Sequence, residues 1–378
     1  MPTINETFAL YSERFMLLAG IAYVAALIAF AWDLVTNSKT ARTVQHQALY
    51  AAPAAQQATG DRVPARAGAA GHGRPEPGGP ETALGEPDGA LEGPEGRAER
   101  PTNRPSGSAP GLVADDSMRY GLAGPRKPAR IGVALTVLAA AIHAAAVLFR
   151  GLAAGRVPWG NMYEFCTTGA LVVAVVFLLV LTRKDLRFVG TFVIGLVLVM
   201  LTAASVAFWT PAGHLVPALQ SYWLVIHVSI AVVSSALFTL TFALSVLQLL
   251  QSRREAALAG GRADRVAFLR LVPSALGLEN LAYRINAIAF IGWTLTLMFG
   301  AIWAEKAWGR FWGWDTKEVW TFVIWVVYAG YLHARATKGW TGTRAAWLSI
   351  VGYLCVVFNF AIVNVFFSGL HSYAGVGS

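Results

Sequence analysis

The chain has 378 residues, of which 56% are hydrophobic and only 13% charged, and its formal net charge is +9. With a mean hydropathy of +0.51, this composition excludes an ordinary soluble domain and is typical of a polytopic membrane protein. We therefore interpret the basic residues as topology signals on membrane loops and expect no nucleic-acid partner. Cys166 and Cys355 lie in apolar runs without a CxxC spacing, which predicts small buried side chains.

Eight apolar stretches are long enough, or nearly so, to cross a bilayer core of about 30 Å. They predict an all-α polytopic membrane fold with about eight transmembrane helices, at residues 15–35, 131–153, 163–182, 188–208, 222–250, 284–304, 320–337 and 345–367. The first stretch does not resemble a cleaved signal peptide, because it is too long and carries Glu6 and Glu13 before or within it. We expect a retained helix.

Residues 37–128 have a different composition, rich in Ala, Gly, Pro and Arg. Such a segment buries too little apolar surface to offset its ordering entropy. The sequence therefore predicts three regions: a first transmembrane helix in 1–36, a disordered cytoplasmic linker over 37–128, and a seven-helix membrane domain over 129–378.

The distribution of Lys and Arg predicts the orientation. With both termini outside, the cytoplasmic segments carry 24 basic residues and the outer segments six. Because basic residues concentrate in cytoplasmic loops, this favours an N-out, C-out topology. The loop between the sixth and seventh helices then lies outside.

That loop contains the segment WGRFWGWDTKEVW, from Trp308 to Trp320. A single tryptophan here would be typical of an interfacial aromatic belt, but a belt does not account for the embedded Asp-Thr-Lys-Glu run. On a helical wheel the four rings point in several directions, and Gly309 and Gly313 weaken a helix. We predict a short irregular platform of aromatic faces for a large flat apolar ligand, with cations nearby for its acidic groups.

Two histidines are predicted at the same membrane level as this platform. His227 lies five residues past Tyr222, which places it about 8 Å inside the outer end of the fifth helix. His371 follows the last helix, also outside, whereas His214 in a short outer loop is predicted to be solvated. Two imidazoles beside aromatic walls suit a porphyrin, whose iron takes axial histidine ligands.

Taken together, these motifs resemble a known family. The tryptophan segment resembles the WWD signature of heme-handling proteins, and the chain resembles the CcsA/ResC family of system II c-type cytochrome biogenesis. GRVPWGNMYEF at 155–165, YLHAR at 331–335 and FNFAIVNVFFSGLHSY at 358–373 occur in the family's order. The similarity covers roughly 131–373; the long linker is atypical of the family and its role stays open.

The resemblance implies that the domain over 129–378 handles heme b as a transported substrate in the bacterial cytoplasmic membrane. With a CcsB/ResB partner, such proteins present heme at the outer face for covalent attachment to the CxxCH motif of apocytochrome c, and a thiol-reducing protein belongs to the pathway. Cytochrome c heme lyase activity is expected only in the complex. The resemblance further implies that His227 and His371 hold the outer heme iron, and that His333 supplies half of an intramembrane heme site shared with the partner.

The predicted heme-binding residues of the outer segment are Trp308, Arg310, Trp312, Trp314, Asp315, Lys317 and Trp320. We expect the tryptophans to form the platform, Asp315 to orient a ligand or a backbone segment, and Lys317 and Arg310, with Lys306, to neutralise heme propionates. Secondary candidates are His143, Asn161, Tyr163 and Glu164; the last three match a family motif but also fit loop and helix-capping chemistry.

Several alternatives stay open at this point. His333 lies thirteen residues after Trp320, about 20 Å further in, and also fits a snorkelling side chain near the inner interface. His143 also fits an ordinary buried histidine. For the whole chain, a heme exporter or chaperone without synthase activity, or an unrelated membrane transporter with aromatic gates, remains an alternative to a synthase subunit.

Overall fold

A computed structural model describes residues 4–60, 126–215, 217–337 and 339–371, and every regular element in these ranges is helical. The chain divides into two units, Met1–Val44 with Ser108–Ser378, and Gln45–Gly107. Of the second unit the structure describes residues 45–60, which are helical.

The helices follow one another with short connections, apart from the segment between the first two. In chain order they are α1 (Glu6–Gly60), α2 (Lys127–Ala154), α3 (Met162–Leu181), α4 (Gly190–Ala207), α5 (Tyr222–Ala259), α6 (Ala275–Trp308), α7 (Thr316–Thr337), α8 (Thr343–Val357) and α9 (Asn364–Phe366). Short 3₁₀ turns lie at Arg187–Val189, Pro217–Leu219 and Ala267–Leu271. A π-helix, Phe358–Val363, joins α8 to α9.

The predicted fold class is confirmed, because the described residues form an all-α polytopic membrane protein. Each of the eight predicted stretches coincides with one of helices α1 to α8. Seven helical segments in the described ranges are long and apolar enough to cross a membrane, where a helix satisfies its own backbone polar groups. Helix α7 is not among the seven, since Lys317, Glu318 and Arg335 make its 22 residues less apolar.

Helix α1 extends to Gly60, well beyond the predicted boundary at residue 36. Residues 37–60, which the sequence analysis placed in the disordered linker, are therefore helical in the structure. Their run of Ala, Gln and Leu favours a helix locally, and the composition of the linker as a whole conceals this signal. The disorder predicted for 61–125 concerns residues outside the described ranges and stays a prediction.

The core of the larger unit is built around α5 and α6, which pack against each other more extensively than any other described pair. Leu240, Leu244 and Leu247 of α5 are fully buried in this core. Also on α5, the ring of Phe238 stacks on Tyr328 of α7 at a centroid distance of 3.8 Å. Such aromatic pairs add about 0.5–1.5 kcal/mol beyond their buried area.

Even-numbered helices α2, α4 and α6 end, and odd-numbered helices α1, α3, α5 and α7 begin, at one end of the bundle, which we call the cavity end. There Arg150 Nη2 donates to the carbonyl of Thr210 at 2.8 Å, and Asn364 Nδ2 lies 2.9 Å from Met162 Sδ. The antiparallel arrangement expected from the sequence is thus present. The N-out, C-out orientation stays a prediction.

Candidate functional site

A cavity opens at the cavity end between α3, α5, α6, α7 and the π-helix. It contains about 1080 Å³ of space free of protein atoms, counting the part that opens to the outside. Its walls are mainly apolar and include seven aromatic side chains: Trp159, Phe165, Trp293, Trp303, Phe311, Trp312 and Phe360. Among the few polar groups are the predicted residues His227, His371, Lys317 and Asn161.

His227 is held in one orientation by helix α6. Its Nδ1 lies 3.0 Å from the carbonyl oxygen of Thr296, and because a carbonyl only accepts, Nδ1 carries the hydrogen. Nε2 is then the ring nitrogen left for a ligand. Gly300 makes room for the ring, since a Cβ at this position would lie 2.8 Å from His227 Cε1.

His371 is held by the tryptophan segment. Its Nδ1 lies 3.1 Å from Asp315 Oδ1, and the carboxylate can only accept, so Nε2 is again left for a ligand. Asp315 Oδ2 accepts from the backbone N–H of Leu370 at 2.8 Å. The hydrogen bond from His371, opposed by partial burial, lowers the pKa of Asp315 to about 2. Asp315 therefore connects the loop before α7 to the C-terminal segment.

The indole of Trp303 contacts both imidazoles. Its ring centroid lies 5.8 Å from that of His227, nearly parallel to it, and 5.5 Å from that of His371. Trp308 contacts His371 at 4.9 Å and Trp303 at 4.7 Å. The sequence analysis missed Trp303, although this residue stands five positions before Trp308, near the end of the predicted helix at 284–304.

The four predicted tryptophans do not share one surface. Trp312 lines the cavity and Trp308 contacts His371. Trp314 is 77% exposed and has a φ of 60°, which is unfavourable for a residue with a Cβ. Trp320 packs on Phe358 of the π-helix at 4.2 Å. The structure therefore places Trp308 against His371 and Trp312 on the cavity wall, and it leaves Trp314 and Trp320 in neither position.

A capping box holds the loop between α6 and α7. Asp315 Oδ1 accepts from the backbone N–H of Lys317 at 2.9 Å. In return, Glu318 Oε2 accepts from the backbone N–H groups of Asp315 at 3.0 Å and Gly313 at 2.8 Å. This reciprocal pattern has a sequence signature, a capping residue followed three positions later by Glu. The Asp-Thr-Lys-Glu run could thus have predicted the role of Glu318, which the sequence analysis did not assign.

The two predicted cations of the segment differ in position. Lys317 lines the cavity, where its Nζ donates to Asn364 Oδ1 at 2.6 Å and to the carbonyl of Asn359 at 3.2 Å. An ammonium group has three hydrogens, so one remains for another acceptor. Arg310 does not line the cavity; its guanidinium lies over Gly313, in the space that a Cβ there would occupy.

The predicted motif at 155–165 forms one wall of the cavity. Asn161 Oδ1 caps α3 by accepting from the backbone N–H of Glu164 at 2.9 Å. The buried Glu164 carboxylate accepts from Arg150 Nε at 3.0 Å, Arg156 Nη1 at 2.7 Å and the backbone N–H of Gly160 at 2.7 Å. This network fixes the loop before α3, and the capping chemistry considered as an alternative is present.

The remaining candidates lie away from the cavity. Tyr163 is buried beneath the guanidinium of Arg150, 5.0 Å from its ring centroid. His143 is fully buried in α2, with Nδ1 3.4 Å from the hydroxyl of Tyr23 on α1. His333 is exposed on α7 near the opposite end of the bundle. None of these three joins the pair formed by His227 and His371.

The donor set at the cavity suits a porphyrin better than a bare metal ion. Within the described ranges, no group of three or more His, Cys, Asp or Glu side chains is arranged to hold a metal, whereas protein zinc sites use three or four such ligands. Two imidazoles match the two axial positions of a porphyrin iron, and the aromatic walls match its faces.

Comparison with known proteins shows the family. The sequence model described as "Cytochrome C assembly protein" matches residues 159–371, which is more than half of the chain and extends from Trp159 to His371 on the cavity wall. The chain belongs to the cytochrome C assembly protein family.

Individual relatives of this family agree. The chain is 35% identical over 259 residues to the cytochrome c biogenesis protein CcsA of a Prochlorococcus marinus strain, covering 60% of this chain and 78% of that protein. It is 32% identical over 277 residues to CcsA of Porphyra purpurea, covering 65% and 87%. It is 34% identical over 284 residues to CcsA of Synechococcus elongatus, covering 64% of this chain and 87% of that protein. The predicted resemblance to CcsA is confirmed, and with it a role in cytochrome c biogenesis, a process that involves heme.

Proposed function

We propose that the cavity binds heme b as a transported substrate, with the iron between Nε2 of His227 and Nε2 of His371. One observation carries this proposal: both imidazoles line the same aromatic cavity, and each uses Nδ1 in a hydrogen bond to a protein acceptor. A histidine that binds a metal usually donates its other ring N–H in this way, which fixes its tautomer and orientation.

In this proposal the other residues of the chain bind and orient the heme. The porphyrin supplies its reactive vinyl groups, and the protein supplies position and exclusion of water. Trp312 and Trp303 provide flat apolar walls, and the remaining hydrogen of the Lys317 ammonium is available to a propionate. Phe311 and Trp314, which are 62% and 77% exposed, lie in the loop where an incoming polypeptide would make contact.

We further propose that the site faces the outer side of the bacterial cytoplasmic membrane and that a CcsB/ResB partner completes the machinery. Together the two proteins would act as a cytochrome c heme lyase toward the CxxCH motif of apocytochrome c, kept reduced by a thiol-reducing protein. The exposure of His333 on α7 supports its availability to that partner for an intramembrane heme site. The excess of basic residues in the opposite loops supports the orientation.

Absorption spectra of the purified full-length chain test the heme site. We expect a low-spin spectrum typical of two imidazole ligands. His227→Ala and His371→Ala should each abolish that signature, and the double variant should lose the heme. His214→Ala is the matched control, because His214 is exposed at the same end of the bundle and does not line the cavity. A double variant with the wild-type spectrum would show that heme binds elsewhere.

Coexpression tests the attachment step separately. The chain, its CcsB/ResB partner and a CxxCH-containing apocytochrome are expected to yield covalently bound heme, and omission of either membrane protein should abolish it. If heme loads normally on the complex but no covalent product forms, the chain is a heme exporter or chaperone and synthase activity is excluded.

A further inference from the structure

Three polar atoms buried in residues that line the cavity have no hydrogen-bond partner among the described residues. They are Trp159 Nε1, Glu318 Oε1 and Asn359 Oδ1. Buried polar atoms are nearly always hydrogen-bonded, and exceptions call for a specific explanation. All three belong to residues that line one cavity, which makes them candidates for hydrogen bonds to polar groups of an occupant.

Glu318 differs in this respect from the other buried glutamates of the described ranges. Both carboxylate oxygens of Glu164 are hydrogen-bonded, and so are both oxygens of Glu279. Glu318 is only 9% exposed and uses Oε2 for two backbone N–H groups. Since these bonds fix the carboxylate, Oε1 is an oriented acceptor that has no donor among the described residues.

The orientation of the Asn359 amide is fixed as well. Thr321 Oγ1 gives its single hydrogen to the carbonyl of Lys317 at 2.7 Å, so it can only accept from Asn359 Nδ2, which lies 3.1 Å away. This leaves Asn359 Oδ1 as a second acceptor. Lys317 Nζ is hydrogen-bonded to Asn364 Oδ1 and the Asn359 carbonyl, not to these acceptors. These two acceptors therefore suit a hydrogen-bond donor of an occupant.

Given the proposed function, on which this inference rests, a hydrogen-bond donor that comes to the cavity with heme is a cysteine thiol of the CxxCH motif. We propose that Glu318 is the proton acceptor for this thiol. The thiol proton moves to Glu318 Oε1 and leaves a thiolate. The Glu318 carboxylic acid then delivers this proton to the terminal vinyl carbon, which takes the π electron pair and becomes a methyl group, while the thiolate sulfur bonds to the vinyl carbon next to the porphyrin ring.

The step is balanced without a further reactant. One S–H bond and one C=C π bond are consumed, one C–S bond and one C–H bond are formed, and the carboxylate is regenerated. Neither an oxidant nor a reductant takes part in this addition. The Asn359 amide cannot take up a proton, so we assign it a positioning role beside Glu318.

Glu318→Gln separates proton transfer from the structural role of this residue. The Gln carbonyl oxygen can still accept the two backbone N–H groups, as Gln does in other capping boxes, while its NH₂ group replaces Oε1 and takes no proton. The full-length chain with its partner should load heme with an unchanged spectrum. In a single turnover with CxxCH-containing apocytochrome, thioether formation per bound heme should fall about 10²–10⁴-fold, the usual contribution of a general acid or base.

Two further variants serve as controls. Glu305→Gln makes the same exchange at a partly exposed carboxylate that pairs with Lys306 at the end of α6 and does not line the cavity; it should react at the wild-type rate. Asn359→Ala removes an acceptor that cannot carry a proton, and its rate per bound heme should fall by less than about tenfold, below the range expected for proton transfer.

The outcomes are distinct. Wild-type rates in Glu318→Gln would overturn the proposal, as would an Asn359→Ala rate reduced as strongly as that of Glu318→Gln. Rates are counted per bound heme, so a lower protein yield of Glu318→Gln does not imitate the effect. Glu318→Asp restores a carboxylate and should react faster than Glu318→Gln. Failure of the wild-type chain to load heme would instead refute the proposed function.

Discussion

Two buried glutamates at opposite ends of the bundle hold a loop in the same manner but differ in what surrounds them. Glu279 Oε2 accepts from the backbone N–H of Gly342 at 2.8 Å, and its other oxygen pairs with Arg335. Glu318 likewise holds the loop before α7 through Oε2, but its other oxygen has no partner among the described residues and lies at the cavity.

The difference separates a structural carboxylate from one available to an occupant. At Glu279 the Arg335 guanidinium, the backbone N–H of Gly342 and the Gln248 amide satisfy both oxygens. Removing one member of such a buried pair leaves an uncompensated charge. At Glu318 one carboxylate oxygen has no hydrogen-bond partner among the described residues, and the residue lines the same cavity as the two imidazoles. Three buried polar atoms without a hydrogen-bond partner among the described residues thus belong to residues around an open space with aromatic walls, as in a binding site.

The largest expected effect concerns Glu279, whose two carboxylate oxygens are both hydrogen-bonded. Glu279→Ala leaves the guanidinium of Arg335 without its carboxylate and should lower the free energy of unfolding by about 3 kcal/mol, because breaking a buried pair costs about 3–5 kcal/mol. Denaturant unfolding in detergent measures this. The heme content of the molecules that remain folded should not change. A selective loss of heme would contradict the distinction between a structural carboxylate at Glu279 and one available to an occupant at Glu318.

A substitution at Gly300 tests the position of His227 without touching a polar group. Gly300→Ala places a Cβ 2.8 Å from His227 Cε1 and should reduce heme affinity about 10–100-fold, as for other changes that misorient a metal-binding histidine. The added Cβ must displace the ring that the Thr296 carbonyl holds, and this crowding offsets the gain of about 1 kcal/mol that Ala brings over Gly in an open helix. Thermal unfolding should therefore show no gain in stability while heme titration shows the loss of affinity.

Gly195→Ala is the matched control for this prediction. Gly195 lies within α4 and an added Cβ there meets no atom within 4 Å, so heme affinity should stay at the wild-type value. Equal affinities of Gly300→Ala and wild type would show that the ring of His227 does not bind the iron.

Asp315→Asn tests the second histidine. The neutral amide still accepts one of the backbone hydrogen bonds, but it holds His371 less firmly than a carboxylate does. We expect heme affinity to fall about tenfold, at the lower end of the range for residues that support a ligand. Asp185→Asn, at a partly exposed ion pair with Arg187 between α3 and α4, should leave the affinity unchanged. A loss of affinity in both variants would point to a general charge effect.

The smallest effect is a dependence of stability on pH. The pKa of Asp315 is lowered to about 2, chiefly by the hydrogen bond from His371, against about 3.9 in an unfolded chain. A depressed pKa adds stability above pH 4, and this contribution is lost as the pH falls from about 4 to 2. Unfolding free energies of wild type and Asp315→Asn should therefore converge over this interval. Parallel curves would show that Asp315 and His371 do not interact in the folded protein.

The sequence predicted the helices correctly, and the topology of these helices brings several of the predicted site residues to one cavity. Apolar runs of membrane-spanning length locate α1 to α8, and antiparallel crossings then bring the start of α5 beside the end of α6 and the residues after α8. His227 and His371 reach the same cavity through this topology alone. Trp312 and Lys317 follow because they lie in the connection at the same end.

Other features depend on packing that spacing does not encode. Trp303 contacts both histidines because of the rotation of α6 about its axis, and Trp320 packs on Phe358 because of the rotation of α7. The π-helix at Phe358–Val363, whose Asn359 carbonyl accepts from Lys317, has no recognised sequence signature. Glu318 is different, since its capping-box spacing was present in the sequence and went unused.

The central claim is that the heme iron lies between His227 and His371, and ligand rescue tests it most directly. In His371→Gly the low-spin spectrum of two imidazole ligands should disappear, and added free imidazole should restore it by filling the vacated position. His227→Gly should behave in the same way, whereas His214→Gly should need no rescue. A His371→Gly protein that keeps the wild-type spectrum without imidazole would contradict the account.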